Sequence, residues 1–404
     1  MNKILRMSIP ALALLAMAPM VAGAADWPHF RGPDSNGTAP DKGINKDWKA
    51  KPPKQLWSVD MGDNGFAGPI VAAGKVFIID HAGGDDVVRA IDLTSGKEAW
   101  KYPYADPAAD NYGFAHSSPA FDNGKLYTLS RSGQLNCIDA AKGAKIWERN
   151  IRKEYQGQPG NWEYAASPIV DGNKLIVCPG GKNGVVALDK DSGKEIWTGG
   201  GSDPAGYATP VIATINGRKQ YVIFEGKALI GLDPDKGGAP IWHCLWVTPN
   251  EVNAASPIVV DDSSIFVASG YKTGCGLIKV NGAQAQPAWT TKDLQAHFNS
   301  PVLVNGYIYG IGDKFGLACV DPKTGKSPWK QPLDEKGGIA AVDGVLLAVN
   351  GGSGEVVMVD PSPDAYKELG KFTPIGGMSW TAPVVADGKL IIRNKQKLAC
   401  FDLK

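Results

Sequence analysis

The sequence predicts an all-β fold made of eight similar four-stranded antiparallel sheets. One observation behind this prediction is a hairpin pattern, clearest in Ala187–Trp197, where Asp is followed by Gly four residues later and by Trp four residues after that. The pattern recurs in Ala90–Trp100, Cys137–Trp147 and Cys319–Trp329, and with one extra residue in Gly231–Trp242. A second observation is a small residue followed by Pro, which recurs between these hairpins. Such evenly spaced repeats are typical of closed all-β architectures.

Each residue of the hairpin pattern has a physical role. The apolar residues before the Asp fit a buried strand, and the Asp carboxylate can accept hydrogen bonds from amides of the turn. The Gly, for example Gly193, is expected to take the positive φ that a four-residue loop requires. The next strand ends in Trp, which buries about 150 to 250 Å² when it packs. We therefore expect each Trp to dock on the neighbouring repeat.

The Pro marker opens two further strands in each repeat. A turn such as Asp122–Lys125 separates these strands, so two strands before the hairpin and two within it give four per repeat. Seven markers are present, at Gly68-Pro69, Ser118-Pro119, Ser167-Pro168, Thr209-Pro210, Ser256-Pro257, Ser300-Pro301 and Ala382-Pro383.

Two irregularities complete the count of eight. A repeat without the Pro begins at Gly338, and it has Leu369 or Phe372 where the other repeats have Trp. The last repeat ends after its third strand, and Gln55–Val59, with Trp57 at the anchor position, can supply the fourth. Joining the two ends of the chain in one sheet removes two exposed strand edges. The prediction is thus an eight-bladed β-propeller, residues 55–404, closed by an N-terminal strand.

The first 24 residues predict export. Lys3 and Arg6 precede an apolar run and the small residues 22–24, which is the pattern of a secretory signal peptide cleaved near Ala24. The apolar run is too short to span a bilayer, so no transmembrane segment is expected. The mature protein is expected in the periplasm or outside the cell, as a monomer.

Residues 25–54 predict an irregular segment that packs on the propeller. Pro and Gly are frequent there, and the stretch DWPHFRGP at 26–33 argues against a helix. We expect Trp27, Phe30 and Trp48 to cover one face of the ring.

Charge and cysteine content exclude several functions. With 42 Lys and Arg against 41 Asp and Glu, the chain has no electrostatic footprint for nucleic acid. Three of the six Cys fall at equivalent third-strand positions and are expected to be core residues. For Cys178, Cys244 and Cys275, the sequence allows either free thiols or one disulfide. No CxxC or HExxH motif is present, so no metal site is predicted.

The hairpin pattern resembles the tryptophan-docking motif of pyrroloquinoline-quinone-like repeat β-propellers, from about residue 55 to the C-terminus. The resemblance implies four-stranded blades around a central channel. In size and repeat type the chain is similar to the propeller subunits of outer-membrane barrel-assembly machinery, although no Cys lies near the predicted cleavage site. The docking residues that the resemblance implies are Trp57, Trp100, Trp147, Trp197, Trp242, Trp289 and Trp329.

The same resemblance includes quinone-dependent dehydrogenases of alcohols or sugars, which hold pyrroloquinoline quinone over Ca²⁺ beneath a disulfide of adjacent Cys. No two Cys are adjacent here, and the chain is shorter than those enzymes. We therefore predict no catalytic residues and no cofactor, and keep a quinone-dependent dehydrogenase with quinone and Ca²⁺ as the alternative.

One group of residues points to binding. Aromatic and polar side chains stand shortly before each Pro marker, where the chain crosses towards the central channel. This predicted binding face consists of Phe66, Phe114, His116, Tyr164, Tyr207, Asn253, His297, Phe298 and Trp380. These residues either wedge between blades or bind a protein or small-molecule ligand, and the aromatic tips of the longer loops favour binding. The predicted function is a non-enzymatic binding or scaffold protein of the cell envelope, with carbohydrate binding as a further alternative.

Overall fold

The computed structural model describes residues 26–107, 112–313 and 316–404. Nearly all regular structure in these ranges is β-strand, as the sequence predicts. The helical elements there are one turn of α-helix, Ile151–Glu154, and two short 3₁₀ segments, Gly181–Asn183 and Pro249–Glu251. The predicted signal peptide, residues 1–24, lies outside the described residues.

The repeats fold as sets of four strands, here numbered set 1 to set 8 in the chain order of their first strands. Strands that neighbour each other within a set are antiparallel and follow the order of the chain. The strands of sets 1 to 4 are Ile70–Ala72, Lys75–Ala82, Asp85–Asp92 and Glu98–Ala105; Ala120–Asp122, Lys125–Leu129, Gln134–Asp139 and Lys145–Asn150; Ile169–Asp171, Lys174–Val177, Val185–Asp189 and Glu195–Gly199; and Val211–Ile215, Arg218–Phe224, Ala228–Asp233 and Ala239–Leu245.

Sets 5 and 6 have the same arrangement, the sheet of set 7 has Thr38–Ala39 as a fifth strand parallel to its first strand, and set 8 takes one strand from before set 1. Their strands are Ile258–Asp261, Ser264–Ser269, Gly274–Asn281 and Gln284–Thr291; Val302–Val304, Tyr307–Gly312, Gly316–Val320 and Trp329–Gln331; Ile339–Val342, Val345–Val349, Val356–Val359 and Glu368–Phe372; and Val384–Ala386, Lys389–Arg393, Lys397–Asp402 and Lys54–Asp60.

The fourth strand of set 8 comes from the N-terminal part of the chain. Lys54–Asp60 pairs antiparallel with Lys397–Asp402, and Trp57 lies opposite Cys400. In the described ranges the hydrogen bonds form seven sheets, because sets 4 and 5 share one sheet through a single parallel pair, His243 with Gln284.

The apolar core lies in layers between consecutive sets. One layer joins Leu135 of set 2 to Leu188 of set 3, and another contains Ile78 of set 1 together with Leu390 of set 8. The first strand of set 1 also contacts the first strand of set 8. Because each set buries both faces against a neighbour, the first strands are left to line the interior.

The repeated hairpins have the predicted turn chemistry. In set 3, Oδ1 of Asp189 accepts hydrogen bonds from the Ser192 amide at 2.9 Å and from the Ser192 hydroxyl at 2.7 Å. Gly193 has φ of 69°, which confirms the positive φ expected there. Its amide donates to the Asp189 carbonyl at 2.8 Å and closes the turn.

Most of the anchor Trp residues contact the hairpin of the next set. The ring of Trp147 lies so close to Gly193 that a Cβ there would be 2.8 Å from the ring, and its Nε1 donates to the Lys190 carbonyl at 3.0 Å. The equivalent Nε1 donors and carbonyl acceptors are Trp57 to Leu93, Trp100 to Ala140, Trp289 to Pro322 and Trp329 to Ser362. Trp197 lies against Gly238 without a hydrogen-bond partner for Nε1 among the described residues.

Trp242 departs from this arrangement. Its Nε1 donates to the side chain of Gln220 in its own set, at 2.6 Å. The hairpin of set 5 has only Gly282 and Ala283 between its strands, so it offers no Asp-to-Gly loop for a Trp to contact. The edges of sets 4 and 5 pair with each other instead.

The set without a Trp is completed by the N-terminal segment. We expected Leu369 or Phe372 in the anchor position, but the residue opposite Met358 is Gly370. A Cβ at Gly370 would lie 3.0 Å from Cβ of Trp48, and the Trp48 ring contacts Phe372 edge-on at 5.1 Å. The missing side chain at Gly370 thus makes room for a Trp from residues 25–54.

All six Cys are buried free thiols, so the structure contains none of the disulfides that the sequence left open. Cys137, Cys319 and Cys400 lie opposite Trp147, Trp329 and Trp57, at the equivalent third-strand positions. Burial raises the pKa of Cys137 to about 12, so this thiol is a small core residue.

Candidate functional site

Hydrogen bonds join neighbouring Pro markers along part of the interior, in sets 2 to 6. The Ser118 amide donates to Oγ of Ser167 at 2.9 Å, and the Ser167 amide donates to Oγ1 of Thr209 at 2.9 Å. The Ser256 amide donates in the same way to Oγ of Ser300 at 2.8 Å. Each bond joins one set to the next. The marker thus fixes the spacing of the first strands.

The first strands enclose a chamber of about 450 Å³. Its wall includes marker residues such as Ser118, Ser167 and Thr209. Its lining is rich in aromatic side chains, which are Trp27, Phe30, Phe66, Tyr112, Trp162, Tyr207, Tyr271, Phe298 and Trp380. A largely apolar concave site of this size, with a few polar groups, is typical of ligand binding.

The N-terminal segment forms one end of the chamber, which we call the floor. The backbone of Trp27 pairs with that of Val71, the Phe121 amide donates to the Pro28 carbonyl at 2.8 Å, and the Ala341 amide donates to the Gly37 carbonyl at 2.9 Å. The segment therefore crosses the first strands of sets 1, 2 and 7. Along each first strand, these contacts come after the start of the strand. The floor therefore lies at the end of the chamber opposite the end where the chain enters the sets.

Aromatic rings meet at the entry end. The Trp380 ring stacks on Phe66 with centroids 4.7 Å apart, and it contacts Phe298 at 5.0 Å and Tyr112 at 6.0 Å. These four residues, here called the aromatic mouth, precede sets 1, 2, 6 and 8. Rings from sets that are not neighbours therefore contact each other over the chamber. Residues that only wedged between adjacent blades would not need such contacts.

A charged group lies beside the mouth. Nζ of Lys336 is 5.3 Å from the ring centroids of both Phe298 and Trp380, 3.1 Å from Oδ1 of Asp313 and 3.0 Å from Nδ1 of His297. Burial opposes ionisation of Asp313, but His297 and Lys336 outweigh burial and hold its pKa below the usual value. Asp313 and Lys336 therefore form an ion pair stabilised by the neighbouring rings.

Six of the nine residues of the predicted binding face line this chamber, namely Phe66, His116, Tyr207, His297, Phe298 and Trp380. The other three do not. Phe114 stacks on His81, Tyr164 is buried and its hydroxyl donates to the Pro179 carbonyl at 2.9 Å, and Nδ2 of Asn253 donates to the Glu225 carbonyl at 2.8 Å. These three residues hold the connections between sets.

Sequence reasoning missed several residues of the chamber. Tyr271 and Asp313 lie in the turns between the second and third strands of sets 5 and 6. Antiparallel pairing brings that turn to the same end of the sheet as the start of the first strand. The residues of these turns could therefore have been included in the predicted binding face. Lys336 and Arg31 gave no comparable signal, because Lys336 precedes the set that lacks the Pro marker and Arg31 lies in the N-terminal segment.

The lining does not fit a quinone held over Ca²⁺. Calcium takes six to eight oxygen ligands, several of them carboxylates. Asp313 is the one carboxylate among the described lining residues, and it is paired with Lys336.

Repeated four-stranded sets, Trp contacts between sets and an aromatic chamber define a pyrroloquinoline-quinone-like repeat β-propeller. The sequence model of the family described as "Outer membrane protein assembly factor BamB" matches residues 84–331. This is more than half of the chain, and the chain belongs to that family.

Individual relatives agree with this assignment. The chain is 24% identical to outer membrane protein assembly factor BamB of Yersinia pestis over 347 residues, which is 79% of this chain and 81% of the relative. It is also 30% identical to quinohemoprotein alcohol dehydrogenase of Comamonas testosteroni, but only over 146 residues, 32% of this chain and 19% of the enzyme.

Solved structures show the fold. The crystal structure of the Comamonas testosteroni enzyme superimposes with a TM-score of 0.70 at 17% identity, covering 93% of this chain and 80% of the enzyme. BamB from Moraxella catarrhalis superimposes with a TM-score of 0.61 at 18% identity, covering 87% of this chain and 99% of that protein. Within the described ranges, no helix has the length and apolarity to cross a membrane.

Proposed function

We propose that this protein is an exported, non-enzymatic binding or scaffold propeller of the cell envelope, which holds a ligand or a segment of a partner protein in the chamber. In this proposal sets 1 to 8 are eight blades, residues 55–404 form one domain, and Lys54–Asp60 closes the ring. The protein acts as a monomer in the periplasm or outside the cell after removal of residues 1–24.

The observation that carries the proposal is the chamber. Its aromatic mouth contains Tyr112 and Trp380, whose rings come from different blades, and its floor is a separate segment. Aromatic side chains in concave, partly desolvated sites carry much of the energy at binding interfaces. An envelope location is supported by the signal-peptide pattern and by relatives named as outer membrane protein assembly factors.

A quinone-dependent dehydrogenase is the second candidate, because quinohemoprotein alcohol dehydrogenases are among the relatives. Two features favour binding without catalysis. The lining has Asp313 as its one described carboxylate, and the chain has no adjacent Cys pair. The similarity to these enzymes also spans only 19% of the length of the Comamonas testosteroni protein.

The test is native mass spectrometry of protein purified from its own envelope. We expect a bound molecule on the wild type and its loss in Trp380→Ala, which removes the central ring of the aromatic mouth. Tyr102→Ala, a half-buried ring on the outer strand of set 1 and outside the chamber, is the matched control and should keep the molecule. Retention by Trp380→Ala, or equal loss in both variants, would count against the chamber as the site.

A further inference from the structure

Arg31 is a buried cation in the floor of the chamber. It is 7% exposed and belongs to the lining. Nε donates to the Ser35 carbonyl at 3.1 Å, and Nη2 donates to the Asn36 carbonyl at 2.9 Å and the Pro301 carbonyl at 2.7 Å. These bonds hold the guanidinium between the N-terminal segment and set 6.

The guanidinium has no counter-ion within the described part of the chain. Its hydrogen bonds there go to carbonyl oxygens alone, and no carboxylate forms an ion pair with it. Burial lowers the pKa of Arg31 to about 9, so the group is still charged at neutral pH. A buried charge without a partner is unfavourable, and folded proteins normally pair it.

One nitrogen of Arg31 is left for a ligand. Nη1 makes no hydrogen bond with the described residues. Because Arg31 belongs to the lining of the chamber, we assign this nitrogen to a ligand bound there.

The charges of the lining do not cancel. Lys336 is neutralised by Asp313, at 3.1 Å. With histidines neutral, the described lining has a net charge of one positive unit, and that unit is Arg31.

We propose that the chamber binds a small organic anion, whose anionic oxygens pair with Arg31 and whose planar apolar part packs among the aromatic rings that line the chamber. Guanidinium and carboxylate or sulfonate oxygens form charge-assisted hydrogen bonds, which are stronger than neutral ones. A chamber of about 450 Å³ is large enough for a fused two-ring compound. This inference rests on the proposed function and adds the chemical class of the ligand.

The test compares 2-naphthoate with 2-naphthamide, which have nearly the same shape and differ in charge, and adds 2-naphthalenesulfonate as a second anion. Affinities are measured by isothermal titration calorimetry on the mature chain at neutral pH. We expect both anions to bind at least tenfold more tightly than the amide. Trp380→Ala should weaken all three probes by a similar factor.

Variants of Arg31 then test whether this residue causes the preference for anions. In Arg31→Gln the anion and the amide should bind within twofold of each other, whereas Arg31→Lys should keep most of the preference. Arg152→Gln, at a half-exposed Arg outside the chamber that pairs with Glu163, is the matched control and should bind as the wild type does. If Arg31→Gln does not fold, the ratio of anion affinity to amide affinity in the wild type and in Arg31→Lys still tests the inference.

The outcomes separate the two proposals. Equal binding of naphthoate and naphthamide to the wild type, with both weakened by Trp380→Ala, would overturn the anion inference and leave the binding chamber in place. A preference for anions that persists in Arg31→Gln would also overturn it. If no probe binds the wild type, or if Trp380→Ala binds all probes unchanged, the chamber itself loses its support as a binding site.

Discussion

The contact between Trp147 and Gly193 gives the sharpest test of how neighbouring blades are joined. The Trp147 ring belongs to set 2, and Gly193 lies in the hairpin of set 3, where a Cβ would stand 2.8 Å from the ring. Two single substitutions, Trp147→Ala and Gly193→Ala, and the double variant form a double-mutant cycle. Exposed Lys194, changed to Ala, is the control in the same turn.

The magnitudes follow from the contacts. Trp147→Ala should lower the free energy of unfolding by about 3 kcal/mol, the low end for such a truncation because the ring is partly exposed. It also removes the hydrogen bond from Nε1 to the Lys190 carbonyl. Gly193→Ala should lower the free energy of unfolding by about 1 to 2 kcal/mol because of the left-handed backbone. The clash with the ring should lower it by a further 1 to 3 kcal/mol, roughly. The clash disappears in the double variant.

The double variant should therefore be less destabilised than the sum of the single variants, by about 1 to 3 kcal/mol. The assay is urea unfolding followed by far-ultraviolet circular dichroism, which does not depend on the deleted Trp. Lys194→Ala should change the free energy of unfolding by less than about 0.5 kcal/mol. Additivity within about 0.5 kcal/mol would refute the contact as the link between sets 2 and 3.

Three further predictions concern other parts of the fold. Deleting residues 25–60 should cause aggregation or a large loss of thermal stability, because it exposes the edge of Lys397–Asp402; equal stability would contradict this. Trp48→Ala should cost about 3 to 5 kcal/mol in urea unfolding, although Trp48 lies outside the strands. Burial raises the pKa of Glu225 from 4.5 to about 7. The folded state thus binds the extra proton, so stability should fall as pH rises from about 4.5 to 7, by up to about 3 kcal/mol. Glu225→Gln should reduce this slope in pH-dependent unfolding, and an unchanged slope would exclude Glu225 as its source.

Much of the fold could be predicted because its signal is local. Asp189, Gly193 and Trp197 have fixed spacing within one hairpin, and each is required by turn geometry or by packing. The role of the marker hydroxyls was not predictable in the same way. Ser167 was recognised as the start of a strand, but its Oγ accepts a hydrogen bond from the amide of Ser118 in the neighbouring set, and the marker pattern gives no sign of this contact.

The exceptions to the repeat required the tertiary structure. Gly370 gives no sign that Trp48 covers it, because the two residues are far apart in the sequence and the contact is between side chain and backbone. Trp242 has the expected spacing but turns to Gln220, since the neighbouring hairpin lacks the loop on which it would dock.

The candidate site was predictable only where it coincides with the repeat. Aromatic residues before the Pro markers, such as Phe298 and Trp380, could be placed at the channel because their position in the repeat is fixed. Phe114 and Tyr164 have similar positions, but their rings turn into contacts between sets. The pairing of Lys336 with Asp313 joins a connection to a turn of the preceding set, and the isolated charge of Arg31 comes from the N-terminal segment, so neither follows from the hairpin pattern.

A turnover assay distinguishes a chamber that binds without catalysis from a dehydrogenase active site. Purified mature protein is incubated with pyrroloquinoline quinone and Ca²⁺, and dye reduction is followed with a panel of alcohols and aldoses. We expect no turnover above the protein-free rate for any substrate. Turnover that saturates with the quinone, and that is lost in Trp380→Ala but kept in Tyr102→Ala, would contradict it.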